Sequence, residues 1–286
     1  MGGDTVSVGL TPISAGRYTG GIRYKGDIDM SISATEHIDP RAPLVIAHRG
    51  ASGYAPENTI AAFKLAVEMG FDMIENDVHR TKDGVIVVSH DKSLDRCTNG
   101  EGLIAELTLG EIQSVDAGAK FPDKYSGEKI PTLEEALASL PDNAGFCIEL
   151  KVPGIAEEVV RMVEKAGQVD RTVIFAFDGT NGPIVKAANP LLPFLHLVSV
   201  RPEERLDRVA GVVENALMFH ADIIGVNHDG CSPELVKAAK RRGVSVWVWT
   251  VDEFERAKEC VLMGVDGIIS NKPDVARAAV DAVFGE

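Results

Sequence analysis

Glu75 and Asp77 stand two residues apart at the end of a short apolar run. On a strand that spacing puts both carboxylates on one face. Like charges so close are unfavourable unless a cation sits between them or one takes a proton. Alone, the pair reads equally well as ordinary acids at a solvated strand end. His48-Arg49 ends the run Leu44 to Ala47, and His90 ends the run Val85 to Ser89, and these neighbours favour a site. Glu149 and Lys151 repeat the two-residue spacing on a later run. They could form a structural ion pair. If Glu149 instead faces inward, it joins Glu75 and Asp77. Three carboxylates without Cys or His make an all-oxygen set, which suits one hard divalent cation, Mg²⁺ or Ca²⁺.

Short continuous apolar runs are the pattern of buried parallel strands. Polar groups placed where such strands stop mark the mouth of an α/β barrel. Eight runs qualify: VIAHR, MIENDV, FCIELK, VIFAF, LHLVSV, IIGVNH, VSVWVWT and GIISN. A ninth, VIVVSHD, follows MIENDV across the tight turn TKDG. Parallel neighbours need a crossover of about a dozen residues, so this strand must pair antiparallel, as a hairpin arm that carries His90 to the mouth. Helical segments are predicted at 58–69, 107–117, 133–140, 155–166, 183–188, 202–219, 233–242, 253–263 and 273–284, with Asn58 or Thr59 capping the first and Gly70 ending it. The expected fold is a single (β/α)8 TIM barrel with an extra β-hairpin arm after the second barrel strand. It occupies residues 42–286 and follows an N-terminal tail or arm over residues 1–41.

The chain has 286 residues, about the right length for one such barrel, and 45% hydrophobic residues to fill it. A net charge of −14 argues against nucleic acid or anionic membranes as partners. Cys97, Cys147, Cys231 and Cys260 show no metal or CxxC spacing, which fits reduced thiols and a cytoplasmic protein. No run approaches the roughly 20 apolar residues of a membrane span, and the first 20 residues lack a signal-peptide pattern. Monomer and homo-oligomer both remain open.

The ordered set HRG, PENT, E-x-D-V, TKDG, HD, IELK, VWTVD and GVDGII, spread over about residues 44 to 275, resembles the glycerophosphodiester phosphodiesterase family. The resemblance implies metal-dependent hydrolysis of a small-molecule glycerophosphodiester to glycerol 3-phosphate and an alcohol. It implies His48 and His90 as the acid–base pair, Glu75, Asp77 and Glu149 as metal ligands, and Arg49 and Lys151 on phosphate. The chemistry agrees. Histidine titrates near working pH, so one ring can act as base and the other as acid. Three carboxylates, one divalent ion and two cationic side chains leave a site of about +1, suited to a singly negative diester. The VWTVD context implies that Trp249 walls the pocket, while Trp247, on the same face but deeper, is core. Glu57, in PENT, is a further ligand, a partner holding His48 or Arg49, or an acid favoured by a helix N-terminus. His79 reads as exposed or structural, and His228 as a residue that could line the mouth. Two positions depart from the family: Asn76, where an apolar residue is usual, and Asn271, where an acid often precedes the basic residue and Pro.

The same site could serve a lysophospholipase D or sphingomyelinase-D-like reaction, and a catalytically silent phosphate-binding barrel is the reading from another class. The short stretch between the hairpin and Thr132, and the lack of a basic membrane-binding helix, speak against acylated substrates. The intact acid, base and carboxylate set speaks against a silent barrel.

Overall fold

The computed structural model describes residues 42–285. The tail or arm expected over residues 1–41 lies outside the described residues. From Leu44 onward, strands and helices alternate in the expected order. The barrel strands are β1 (Leu44–Ala47), β2 (Met73–Arg80), β4 (Gly145–Leu150), β5 (Thr172–Ala176), β6 (Phe194–Val198), β7 (Ile223–Asn227), β8 (Ser245–Trp249) and β9 (Gly267–Ser270), with β3 (Ile86–Val88) as the extra strand. All eight barrel strands pair in parallel. The sheet closes because β1 bonds both of its neighbours, with Ile46 opposite Met73 on one side and Ile269 on the other. As the turn length required, β3 runs antiparallel to β2, with Val88 opposite Val78.

The helices are α1 (Ile60–Glu68), α2 (Leu109–Ser114), α3 (Pro122–Tyr125), α4 (Leu133–Ser139), α5 (Ala156–Lys165), α6 (Asn181–Ala188), α7 (Val209–Met218), α8 (Pro233–Lys240), α9 (Phe254–Met263) and α10 (Pro273–Phe284). Thr59 caps α1 by accepting the Ala62 amide, and Gly70 leaves it at φ 77°. The single helix expected over 202–219 is instead a 3₁₀ turn at Pro202–Glu204 followed by α7. The segment expected from Pro183 begins two residues earlier, because proline is tolerated in a first helical turn.

Strand alternation sorts the side chains into two apolar layers. Val45, Ala47, Ile74, Ile148 and Val246 face the helices. Ile46, Cys147, Phe175, Leu195, Trp247 and Ile269 fill the barrel. Gly267 makes room for this plug, since a Cβ there would lie 2.7 Å from the Trp247 ring. Trp247 is 4% exposed, as expected of core. Along β2 and β4 the inward positions change from Met73 and Cys147 to Glu75, Asp77 and Glu149. The apolar plug is therefore the floor of a charged site.

The chain from β3 to α4 leaves the barrel. It has its own small core of Val87, Leu94, Ile104, Ile112, Ala117 and Ile130. Capping boxes at Thr108 and Glu111, and at Thr132 and Glu135, fix the helices α2 and α4.

Candidate active site

Glu75, Asp77 and Glu149 converge at the strand ends, with one oxygen from each within 4.8 Å of the others. All three are buried, Asp77 completely. The adjacent strands supply them in register, Asp77 lying opposite Glu149. The turn after β1 bends over this cluster. Arg49 takes φ 56° and Gly50 φ 78°, and a Cβ on Gly50 would strike the Ala62 backbone at 2.7 Å. That left-handed turn, unfavourable for a non-glycine residue, aims the Arg49 amide at Glu75 Oε2, 2.8 Å away. His48 Nε2 lies 3.9 Å from the same oxygen.

His48, Arg49, Glu75, His90, Glu149, Lys151 and Trp249 line one cavity of about 170 Å³, walled on its apolar side by Phe175, Phe177, Leu197 and Ile269. Asp77 lies beneath it. Sequence reasoning placed His48, Arg49, Glu75, Asp77, His90, Glu149, Lys151 and Trp249 at the mouth, and the fold brings them together; the four apolar wall residues it did not single out. His90 arrives two residues after β3, from the excursion. Trp249 packs edge-on against Phe177, with ring centroids 5.6 Å apart.

A search of known families matches residues 48–275 to the glycerophosphoryl diester phosphodiesterase family. The chain belongs to that family. It is thereby a phosphoric diester hydrolase. It is 40% identical over 241 residues to a glycerophosphodiester phosphodiesterase of Caldanaerobacter subterraneus subsp. tengcongensis, covering 81% of this chain and 95% of the relative. A Bacillus subtilis glycerophosphodiester phosphodiesterase is 32% identical over 259 residues, covering 83% and 86%. Among solved structures, an Oleispira antarctica phosphodiesterase in complex with the product sn-glycerol-3-phosphate superposes with a TM-score of 0.73 at 30% identity, covering 84% of this chain and 97% of that one. A glycerophosphodiester phosphodiesterase from Agrobacterium tumefaciens gives 0.72 at 32%, covering 82% and 99%.

Within this glycerophosphoryl diester phosphodiesterase fold, the side chains behind the cavity are as organised as those lining it. The Asn271 side chain donates from Nδ2 to Asp252 Oδ2 at 2.6 Å, so its Oδ1 can only accept. His48 Nδ1 lies 2.7 Å from that Oδ1 and must be the donor, which leaves Nε2 with the lone pair. Ser270 Oγ and the Asn271 amide hold the other Asp252 oxygen at 3.0 and 2.8 Å. His90 Nδ1 instead meets a carboxylate, Asp91 Oδ1, at 2.7 Å. Arg96 grips that carboxylate and also Glu57, and Glu57 in turn accepts from Arg49 at 2.8 Å. Of the roles open to Glu57, the geometry shows a partner holding Arg49. Asn58, at φ 59°, donates to Asp77 Oδ2 at 2.9 Å.

The sequence carried hints of some of these residues. Asp91, Asp252 and Asn58 sit inside the motifs HD, VWTVD and PENT, and Asn271 departs from the family pattern. Arg96 had no signal. His79 is buried and donates from Nε2 to the His90 carbonyl at 3.2 Å, a structural role. His228 does not line the cavity. Its Nδ1 accepts from Arg256 Nε at 3.1 Å, and this bond holds it outside the mouth.

The electrostatics follow from burial and neighbours. Burial, then Asp77 and Glu149, pushes the Glu75 carboxyl well above its usual range. Burial, then Asp77, lifts Glu149 to about 7. Burial also acts to raise Asp77, but Lys151 and Arg49 outweigh it and hold that carboxyl well below the ordinary value. Lys151 Nζ spans Glu149 and Asp77 at 2.8 and 3.2 Å. Two buried carboxyls biased toward the protonated form, converging with a third carboxylate, fit a hard divalent cation, which would displace those protons. Burial, then Arg49, lowers His48 to about 4. Glu57 and Asp91 against Arg96 add a net negative charge that the sequence count omitted. With a divalent ion the assembled site would be close to neutral.

Among the described residues, no helix is long and apolar enough to cross a membrane.

Proposed function

We propose that this chain hydrolyses glycerophosphodiesters to glycerol 3-phosphate and an alcohol. The observation that carries the reading is the meeting of two differently supported histidines, three buried carboxylates and two cationic side chains around one small cavity. Glu75, Asp77 and Glu149 would hold one divalent cation, Mg²⁺ or Ca²⁺. When bound, it polarises phosphoryl oxygens and offsets charge in the transition state. Arg49 and Lys151 orient the diester, Arg49 through a planar fork and Lys151 as a point charge.

The two histidines divide the proton work. His48 is neutral at working pH, and its Nδ1–H is committed to an amide oxygen. Its Nε2 takes the proton of the attacking hydroxyl, whether of water or of the substrate's own glycerol, the latter giving a cyclic phosphate first. His90 is backed by the Asp91 carboxylate, which stabilises an imidazolium, and it protonates the departing alkoxide. Glu57 keeps Arg49 in place.

A cavity of about 170 Å³ is below the range of about 300–1,000 Å³ that encloses a drug-sized ligand. It fits the glycerol phosphate half against Trp249 and Phe177 and leaves the alcohol outside, which favours broad head-group tolerance over a lipid acyl chain.

Release of glycerol 3-phosphate from glycerophosphocholine and glycerophosphoethanolamine, with and without EDTA and with Mg²⁺ or Ca²⁺ restored, tests the proposal. Similar rates on both substrates, lost with EDTA and restored by one ion, are expected. Inactivity with either ion would overturn the substrate assignment.

A further inference from the structure

Arg96 lies outside every motif that pointed to the site, yet its guanidinium joins two carboxylates there. Its Nε and Nη2 face the two oxygens of Asp91 at 2.5 and 3.2 Å, and its Nη1 and Nη2 face the two oxygens of Glu57, both at 2.7 Å. Two-point contacts of this kind fix direction as well as distance. Asp91 belongs to the excursion and Glu57 to the loop after β1, so the guanidinium sets the position of one against the other. The consequences for the two sides are unequal. Glu57 keeps Arg49 as a second partner. Among the described residues, the Asp91 carboxylate bonds only His90 and Arg96, so without Arg96 its hold on the His90 ring is no longer anchored.

We propose that Arg96 is a positioning residue for His90. It holds Asp91 in the orientation that fixes the His90 ring and keeps its Nδ1–H donated, with Glu57 as the fixed point on the barrel. The inference rests on the proposed reaction, and on His90 as the proton donor to the leaving group.

The side chain of Arg96 is 46% exposed, so Arg96→Ala is expected to fold normally. The test compares two leaving groups on the same glycerol phosphate half: choline, which departs as an alkoxide needing a proton, and p-nitrophenol, which departs unaided. For Arg96→Ala, kcat on glycerophosphocholine should fall about 10- to 100-fold with little change in KM, while the p-nitrophenyl diester is nearly unaffected. Added guanidinium ion should restore part of the loss. Arg96→Lys should not, because an ammonium lacks the fork. His90→Ala is the control and should show the same leaving-group selectivity, more strongly. If His90→Ala is selective and Arg96→Ala is impaired on neither substrate or equally on both, the Arg96 assignment fails alone. If His90→Ala loses both substrates equally, the acid role of His90 fails. The Arg96 assignment is then decided by proton NMR. The low-field ring N–H of the His90–Asp91 bond, assigned by its loss in His90→Ala, should disappear in Arg96→Ala. Its persistence there would overturn the proposal.

Discussion

The surroundings of His48 and His90 are two solutions to placing an imidazole. His48 sits on a barrel strand end, its side chain 16% exposed, with Nδ1 on an amide oxygen that Asp252 orients from behind. His90 sits on an excursion, half-buried, with Nδ1 on a carboxylate held by an arginine. An amide fixes a tautomer without stabilising a positive ring, whereas a carboxylate does both. The protein thus gives one residue type two different second partners. It places the amide-bound ring on the barrel and the carboxylate-bound ring on the added segment.

The contrast is easiest to break by deletion. His48→Ala and His90→Ala should each lower kcat on glycerophosphocholine by about 10²–10⁴-fold. Only the loss in His90→Ala should be relieved by a p-nitrophenyl leaving group, and equal behaviour of the two variants in steady-state assays would show that the two rings do the same work. On the His48 side, Asn271→Ala should cost about 10- to 100-fold in kcat, since the ring then loses its fixed tautomer. Asp252→Asn should cost less, because it keeps the shape but lets the Asn271 amide turn.

Metal binding, followed by titration calorimetry, should weaken as pH falls through about 7, where Glu149 takes a proton that the cation must displace. The metal-free protein should show the opposite trend in stability. Its Glu149 is held protonated above the unfolded value, so between about 4.5 and about 7 the native state carries the extra proton and the melting temperature should fall as pH rises. Saturating divalent cation should flatten that slope.

The smallest expected effect lies outside the contrast. Asn76 is completely buried on the helix-facing side of β2, and neither of its side-chain polar atoms has a partner. Asn76→Leu should raise the unfolding free energy by about 1 kcal/mol in denaturant titrations and leave kcat unchanged.

What could be read in the chain divides along the range of the interactions. The eight barrel strands were legible because burial on both faces writes each as a continuous apolar run. The antiparallel β3 was legible because TKDG is too short for a crossover. Glu75 with Asp77 and Glu149 with Lys151 were legible because strand period two is local. The 202–219 helix was misjudged because Pro202 suits a helix start as well as the 3₁₀ turn it actually begins. The partners of the two histidines were hidden for another reason. His48 and Asn271 are 223 residues apart and meet only because β9 closes against β1. Arg96 is near His90 in sequence, but an arginine in a polar loop is indistinguishable from a solvated one until the loop is folded.

The excursion is also built as a part of its own. Six of its buried side chains form a cluster separate from the two barrel layers, while Ile86 and Val88 of β3 stay in the helix-facing layer. Segments with their own small core can open as a unit at less cost than the whole domain. Such an opening would carry away His90, Asp91 and Arg96 while Glu75, Asp77 and Glu149 stayed in register on β2 and β4. Resting and working forms would then differ in a single detachable part. The frequency of such an opening would be set by the apolar side chains of that small cluster, away from the carboxylates.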